Sequence, residues 1–301
     1  MQQREELTRV LWSWVVNRHP RLEDQVIAAA AGGFDVLTVP YRQYRASLDA
    51  GLTPGEMRRI AEDRGVVLDF LDGVMSWAPV EWGPEVGEFV REAFAFSVDD
   101  ALEMCAVLGL TTVVAASAFD VGAVPLPDLV TAFGEFCDRA REAGVWVDLE
   151  PVPMSGIPTL TLAWEIVRRA NRSNSGIMFD TWHFQRGDPD LELVRAIPPG
   201  RIVNVQLVDG DRHPKWANPW EEGLHGRYLP GEGDLPLIEI LATLAEHHPI
   251  RTIGPEGVLD EVATVAPSEL GARAGARTEE VLSKAGLTLV NEKAPPERGL
   301  F

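Results

Sequence analysis

The sequence contains few cysteines and few lysines. Among its 301 residues there are two cysteines, Cys105 and Cys137, too few for a disulfide framework or a thiolate metal cluster. Both fall within amphipathic helical patterns, which is typical of small buried packing residues. Of the three lysines, only Lys215 lies outside the C-terminal region, and its surroundings have an irregular, loop-like pattern. We therefore do not expect a Schiff-base mechanism.

Positive charge and long apolar runs are also scarce. The chain has 46 acidic residues against 27 lysines and arginines, which gives a net charge of −19. A nucleic-acid backbone requires a basic surface, so nucleic acid is not an expected partner. No apolar run reaches the length that spans a membrane, and the first residues lack the apolar core of a signal peptide. We expect a cytoplasmic protein that acts without a membrane.

The sequence does contain eight short β-rich runs, which alternate with longer helical patterns. The runs cover residues 10–16, 36–40, 66–72, 111–117, 145–151, 176–182, 201–209 and 251–257. This alternation predicts an α/β protein, and eight parallel strands predict closure into a single (β/α)8 TIM barrel. The alternative is an open doubly wound sheet, but no G-x-G-x-x-G follows the first run. The predicted barrel covers residues 1–290 with a C-terminal helix, and a polar, proline-containing tail follows at 291–301.

Helix boundaries have local signals of their own. Thr53-Pro54 and Leu126-Pro127 resemble helix starts, because proline is tolerated in the first helical turn. Gly65, Gly109 and Gly144 stand where helices are expected to end, since glycine readily adopts the left-handed conformation.

Four oxygen-bearing side chains stand near the ends of the last four β-rich runs: Glu150, Asp180, Gln206 and Glu256. Strand alternation places all four on the inner face of the barrel, near its C-terminal mouth. One such carboxylate is more often a helix cap or an ion-pair partner, but four on consecutive strands predict a shared site. Carboxylate and amide oxygens suit one divalent cation, with Mn²⁺ expected first and Mg²⁺, Co²⁺ or Zn²⁺ as alternatives. Such a cation would also offset the repulsion among the carboxylates.

This ligand set indicates a reaction type. A divalent cation that binds a carbonyl and a neighbouring hydroxyl stabilises the enediolate formed when the adjacent C–H proton is removed. Glu150 or Glu256 has a second carboxylate oxygen that can take that proton. We therefore predict that these two residues form the catalytic acid/base pair.

Five motifs together resemble a known family. They are E-P at 150–151, F-D-T-W-H at 179–183, Q-L-V-D-G-D-R at 206–212, L-P-G-E-G-D-L at 229–235 and G-P-E-G at 254–257. The chain resembles the xylose isomerase-like TIM-barrel superfamily, and more narrowly its sugar phosphate isomerase/epimerase type. The resemblance runs from the first strand to the helix after the eighth, although its specific motifs lie in the second half.

The resemblance implies roles for individual residues. It assigns the metal to Glu150, Asp180, Gln206 and Glu256, and it assigns substrate contacts to His183 and Arg212. It implies proton exchange between the two glutamates, as in ketose 3-epimerases. It also implies a homo-oligomer, because dimers and tetramers are common in the family.

Gln206 departs from the histidine usual at its position and is similar to the glutamine of some bacterial 3-dehydroshikimate dehydratases. Three hypotheses therefore stay open. The first is a metal-dependent sugar or keto-polyol isomerase/epimerase. The second is a dehydratase or β-eliminating lyase on a cyclic keto-polyol, including one that cleaves a keto-glycoside. The third is a non-catalytic ligand-binding barrel.

Aromatic and polar residues near the predicted mouth are candidates for a substrate pocket. Long connections at 74–97 and 210–234 contribute Trp77, Trp82, Trp216 and Trp220 as further candidates. We expect a small sugar, cyclitol or aglycone-bearing substrate. The candidate substrate-binding residues other than His183 and Arg212 are Trp12, Trp14, Tyr41, Asp72, Trp182 and Arg227.

Overall fold

A computed structural model describes residues 7–78, 82–83, 86–258 and 264–287. The predicted tail at 291–301 lies outside the described residues, as do the last residues assigned to the barrel, 288–290.

The described residues form one parallel sheet of nine strand segments in the order β3-β2-β1-β9-β8-β7-β6-β5-β4. The two ends of this order, β3 and β4, follow each other along the chain and are separated by two residues only, so the sheet closes into a TIM barrel. The predicted fold is therefore confirmed, with the third strand divided in two. The segments are β1 (Thr8–Leu11), β2 (Val36–Leu37), β3 (Val67–Leu68), β4 (Leu71–Val74), β5 (Thr112–Ala115), β6 (Trp146–Leu149), β7 (Ser175–Asp180), β8 (Ile202–Leu207) and β9 (Thr252–Pro255).

The division of the third strand has a local cause. Phe70 has a φ of 61°, a left-handed conformation that interrupts an extended strand. The buried carboxylate of Asp69 accepts hydrogen bonds from the N–H of Phe70 and from the N–H and hydroxyl of Thr111, each at 2.7 Å. These bonds fix the bend against the start of β5.

The helices predicted between the strands are present, and some bounds differ by a few residues. The described residues also contain four short helices that the sequence pattern did not predict: α2, α4, α8 and α10. The helices are α1 (Leu22–Ala31), α2 (Tyr41–Asp49), α3 (Pro54–Glu62), α4 (Glu88–Ala93), α5 (Val98–Leu108), α6 (Leu126–Glu142), α7 (Leu160–Ala170), α8 (Thr181–Arg186), α9 (Leu191–Ala196), α10 (Pro219–His225), α11 (Leu237–His247) and α12 (Pro267–Lys284).

The predicted helix signals are confirmed. Thr53 and Glu56 form a reciprocal capping box at the start of α3, with Pro54 in the first turn. Gly109 ends α5 with a φ of 71°, and Gly65 and Gly144 adopt similar positive φ angles after α3 and α6.

Two layers of side chains fill the inside of the barrel. An apolar cluster includes Trp12 and Met178 and packs apart from the larger core between strands and helices. A polar chain also crosses the interior: Thr252 donates to Asn204, which donates to Asp148 at 2.6 Å. The inward faces predicted for β6, β7 and β8 are thus confirmed at these positions. Residues at the strand ends therefore rest on a filled interior, as in other TIM barrels.

The first strand is shorter than predicted. It ends at Leu11, and residues Ser13–Val16 form a 3₁₀ helix, so Trp14 does not belong to a strand. Trp12 remains inside the barrel, where its ring meets Phe70 edge-on at a centroid distance of 5.2 Å.

Candidate active site

The structure brings the four predicted strand-end residues together. Asp180 is the last residue of β7 and pairs in register with Gln206 of β8, which in turn pairs with Gly254 of β9. Glu150 follows β6 and Glu256 follows β9. All four side chains are buried at the C-terminal ends of the strands. We call this set, together with His183 and Arg227, the carboxylate cluster.

Arg227 is the central cation of the carboxylate cluster. One terminal nitrogen of its guanidinium lies 2.6 Å from Asp180 Oδ2 and also donates to Glu256 Oε2. The other terminal nitrogen is 3.2 Å from His183 Nε2. Arg227 follows α10, and Tyr228 beside it forms an antiparallel bridge with Asp209 at the end of β8. This bridge carries Arg227 back over the barrel mouth.

His183 is oriented by its own helix. The Asp180 carboxylate accepts a 2.7 Å hydrogen bond from the N–H of His183, which makes Asp180 the N-cap of α8. The imidazole Nδ1 then lies 3.0 Å from Glu150 Oε1. Ligand atoms of Glu150, Asp180 and His183 all lie within 4.8 Å of one another, a spacing at which they could hold a metal ion.

Among the described residues, one side-chain hydrogen bond positions Gln206. Its amide nitrogen donates to Glu256 Oε1 at 2.7 Å. Its amide oxygen is buried and accepts no hydrogen bond within the described part of the chain. A buried acceptor without a donor is costly unless a cation or water meets it. The orientation of Gln206 thus fits a role as a metal ligand.

Burial and neighbouring charges shift the pKa values of Asp180 and Glu256 in opposite directions. Burial tends to raise the pKa of Asp180, but its electrostatic interactions with His183 and Arg227 outweigh burial and hold the pKa below its usual value. Burial raises the pKa of Glu256 well above its usual value despite the opposing charge of Arg227. The neighbouring carboxyls of Asp72, Glu150 and Asp180 add to that increase.

Asp72 extends the carboxylate cluster toward β4. Burial, followed by the charge of Glu150, raises its pKa to about 7. Asp72 shares a hydrogen bond with Glu256 and accepts another from the indole of Trp14. Two buried carboxyls in contact cannot both ionise easily, so the Asp72–Glu256 pair favours retention of one proton near neutral pH.

Two of the other predicted pocket residues lie near this cluster. Trp182 is buried, and its ring is covered by the guanidinium groups of Arg186 at 5.2 Å and Arg227 at 5.8 Å. Trp14 reaches the cluster through Asp72. Trp182 therefore supports Arg227 from the side by a cation–π contact.

Three predicted pocket residues lie elsewhere. Trp12 is enclosed in the barrel interior, and Tyr41 stacks on Phe96 at 4.3 Å at the start of α2. Arg212 lies on an exposed loop, where its backbone N–H donates to Asp234. The structure thus places Arg212 away from the buried cluster, and its contact with substrate stays a prediction.

Sequence reasoning missed the contacts that anchor the loop after β8. Arg186 and Glu222 form a buried ion pair of 2.8 Å between α8 and α10. The Asp209 carboxylate accepts hydrogen bonds from the N–H groups of Gly210, Gly231 and Leu235, so it anchors the L-P-G-E-G-D segment beside the chain that leaves β8. The glycines of that segment are the sequence signal for these contacts, because glycine has no Cβ atom and so lets the two loops approach closely.

The family assignment follows from a match of residues 26–277 to the model described as xylose isomerase-like TIM barrel. The chain belongs to the xylose isomerase-like TIM-barrel family. Two curated relatives are similar over much of its length. A 3-dehydroshikimate dehydratase of Pseudomonas aeruginosa is 24% identical over 73% of this chain and 33% of its own length. An inosose isomerase of Bacillus licheniformis is 28% identical over 61% of this chain and 66% of its own length.

The chain thus matches about a third of the first relative and just under two thirds of the second. Solved structures show the same fold. The IolI protein with a zinc atom aligns over 93% of this chain and 99% of its own, with a TM-score of 0.80 and 19% identity. A D-psicose 3-epimerase crystallised with D-fructose aligns over 92% and 99%, with a TM-score of 0.62 and 18% identity. Within the described residues, every helix is too short or too polar to cross a membrane.

Proposed function

We propose that this family member is a divalent-metal-dependent isomerase or epimerase acting on a small cyclic polyol or sugar that carries a carbonyl. The observation that carries the proposal is the burial of four oxygen-bearing side chains together at the C-terminal mouth of the barrel: Glu150, Asp180, Gln206 and Glu256. Oxygens of Glu150 and Asp180 lie within 4.8 Å of each other, close enough to share an ion. The named relatives include inosose isomerases, which supports a cyclic polyol ketone as the substrate class.

The donor set fits a divalent cation. Glu150, Asp180 and Glu256 offer carboxylate oxygens, and Gln206 offers the buried amide oxygen that lacks a donor. We assign the metal to these four residues, with Mn²⁺ as the first expectation because the ligands are hard oxygens. When bound, the cation would supply Lewis acidity to a substrate carbonyl.

Glu150 and Glu256 would move the proton. The Glu150 carboxylate would take it from the carbon next to the substrate carbonyl. Glu256, which shares a proton with Asp72, would return a proton to the same carbon from the other side, which inverts that centre. The Asp72–Glu256 hydrogen bond supports this direction, because a shared proton is available there near neutral pH.

His183 and Arg227 would hold substrate oxygens. A terminal N–H of Arg227 lies 3.2 Å from His183 Nε2, and this contact fixes the relative position of the two side chains. Trp182 packs against both and limits the entry of water. Trp14 and Asp72 would bound the pocket on the β4 side.

A second candidate function is a dehydratase that forms the same enolate. One observation favours it: the relative from Pseudomonas aeruginosa is a 3-dehydroshikimate dehydratase, and Gln206 resembles the glutamine of such enzymes. In this reaction the proton leaves the carbon next to the carbonyl. The β-hydroxyl then leaves with a proton as water, and a C=C bond forms.

One experiment separates these functions. Mn²⁺-loaded protein is incubated in D₂O with an inosose and, separately, with 3-dehydroshikimate. Deuterium incorporation without loss of water supports the isomerase, and a growing ultraviolet absorbance from the aromatic ring that forms when 3-dehydroshikimate loses water supports the dehydratase. Glu150→Gln should abolish either signal, whereas Glu165→Gln on the outer face of α7 should leave it unchanged.

The non-catalytic alternative makes a different prediction. Purified protein that binds no Mn²⁺, Mg²⁺, Co²⁺ or Zn²⁺, and whose stability does not change on metal addition, would contradict both enzyme proposals. Metal content by elemental analysis and unfolding with and without Mn²⁺ provide these two measurements.

A further inference from the structure

A cleft of about 550 Å³ lies beside the carboxylate cluster, at the ends of β4 and β5. Its walls are mainly aromatic or apolar, and they include Met75, Trp82, Phe94, Phe96 and Phe119. No residue of the carboxylate cluster lines it. A cleft of this size falls in the range of sites for drug-sized ligands, so a small cyclic polyol held at the cluster would leave it unfilled.

The aromatic walls are fixed by close packing. A Cβ atom at Gly73 would stand 2.1 Å from the ring of Phe94, and one at Gly156 would stand 2.1 Å from the ring of Phe119. Each ring therefore packs tightly against a glycine, where any larger residue would displace it. Phe96 is held by the stacked ring of Tyr41. These rings keep their positions without a ligand, which lowers the entropic cost of binding.

Backbone hydrogen bonds fix the wall that carries Trp82. The N–H of Gly83 donates to the carbonyl of Ala118 at 2.9 Å. Arg91 donates to the carbonyls of Gly83 and Val86 at 2.6 and 2.8 Å. The wall is thus tied to both α4 and the segment after β5.

The cleft connects with the carboxylate cluster through Phe94. That residue also borders a small recess lined by Trp14 and Asp72. The rings of Trp14 and Phe94 lie 6.3 Å apart, and Asp72 is bonded to Glu256. Asp72, Trp14 and Phe94 thus form a continuous row of neighbouring side chains from Glu256 to the cleft.

We infer that this cleft is a subsite for a flat aromatic group carried by the substrate, so that the substrate is an aryl conjugate of a sugar or polyol. This inference rests on the proposed function for the reacting ring. Asp100 is the one charged side chain among the described residues that line the cleft, and it already caps α5 through Ser97. The cleft thus favours an uncharged aromatic ring over a phosphate.

The test compares two probes that differ only in the aromatic group. Binding of 4-nitrophenyl β-D-glucopyranoside and methyl β-D-glucopyranoside to Mn²⁺-loaded protein is measured by calorimetry. Burying the aryl ring should make the first bind about tenfold more tightly. Ala95→Phe, at the exposed rim of the cleft, should remove this preference. Val121→Phe, at a site 69% exposed and outside the lining, is the matched control and should keep it.

Equal affinities for the two probes, no measurable binding of the aryl probe, or a preference that survives Ala95→Phe would overturn the inference. The proposed function is judged separately, by Mn²⁺ binding in wild type and Glu150→Gln. Loss of the aryl preference with intact Mn²⁺ binding rejects the subsite alone. Absent Mn²⁺ binding with an intact aryl preference rejects the metal-dependent reaction alone.

Discussion

At the residue scale, Arg227 balances the negative charge of the carboxylate cluster. Its guanidinium pairs with both Asp180 and Glu256 in a buried position. Arg227→Met would leave these carboxyls without their cation, and breaking a buried ion pair costs about 3–5 kcal/mol. We expect the variant to unfold at lower denaturant concentration than wild type, and we expect Mn²⁺ to restore much of the loss, because the cation replaces the missing charge.

Arg186→Met is the matched control for this prediction. Arg186 is equally buried, pairs with Glu222 and covers the same Trp182 ring, but it lies outside the carboxylate cluster. Its loss should destabilise the protein without any special recovery in Mn²⁺. Equal recovery of the two variants would contradict the role assigned to Arg227.

Gln206 makes a second prediction at this scale. Gln206→Leu removes the buried amide oxygen that we assign to the metal. Loss of a residue that only orients a ligand lowers metal affinity about 10- to 100-fold, so loss of this oxygen should lower Mn²⁺ affinity at least as much. Gln206→His restores a ligand atom and should keep Mn²⁺ affinity close to wild type. Gln43→Leu also removes a buried amide, but one bonded to Gln25 and Ser47, and should leave Mn²⁺ affinity unchanged. Calorimetric titration with Mn²⁺ measures these affinities. An unchanged Mn²⁺ affinity in Gln206→Leu would refute the assignment of Gln206 to the metal.

Strand alternation explains why much of the site could be predicted from sequence. A period of two fixes which side chains face the interior, so the burial of Asp180 and Gln206 follows from the pattern alone. The ion pairs of Arg227 could not be predicted in this way. Arg227 reaches the cluster from a loop whose course depends on the Asp209–Tyr228 bridge and on an unpredicted helix, α10. Such contacts are tertiary and leave no periodic signal.

At the scale of elements, the third strand shows the same limit. Its run at 66–72 is β-rich in sequence, yet the bend at Asp69 and the positive φ of Phe70 divide it. Non-glycine residues seldom adopt this conformation, so no local signal marks it. The four unpredicted helices are nine residues long or shorter, and packing decides whether short segments become helical.

A buried histidine joins two of the outer helices and makes the protein sensitive to acid. His248 Nε2 lies 2.8 Å from the carbonyl of Val194, so it donates from the end of α11 to α9. Burial, with the charge of His247 adding, lowers the pKa of His248 below its usual 6.5, against the effect of the Val194 hydrogen bond. Below pH 6.5 the unfolded chain binds a proton that the folded protein excludes. The stability contributed by neutral His248 is therefore present above that pH and is lost as the pH falls.

The prediction is that His248→Gln loses less stability than wild type when the pH is lowered through this range. Glutamine keeps a side-chain donor but does not titrate. His247→Gln, at the neighbouring and more exposed position, removes only the smallest contribution to the pKa of His248 and should keep most of the wild-type pH dependence. Urea unfolding at a series of pH values measures the difference, and parallel curves for wild type and His248→Gln would contradict it.

At the scale of the whole molecule, the barrel depends on the meeting of its first and last strands. Thr8 pairs with Thr252 and Arg9 with Ile253, residues more than two hundred positions apart in the chain. No local pattern specifies this pairing. It follows from the number of strands, because eight alternating βα units return the sheet to its start. The same closure places Glu256 next to Asp72 and so completes the carboxylate cluster.

At Gly254 the backbones of β1 and β9 approach each other very closely. A Cβ atom there would stand 1.6 Å from the carbonyl oxygen of Val10, so the backbones of β1 and β9 would have to separate. We expect Gly254→Ala to destabilise the protein by about 3 kcal/mol or more. It should also weaken Mn²⁺ binding, since Glu256 lies two residues further along the same strand end.

The matched control is Gly55→Ala, in the first turn of α3 with open space around it. It should leave stability unchanged or raise it by up to about 1 kcal/mol. Unfolding and Mn²⁺ titration of both variants test this, and a stable Gly254→Ala with normal Mn²⁺ affinity would show that closure tolerates a looser contact between the two strands.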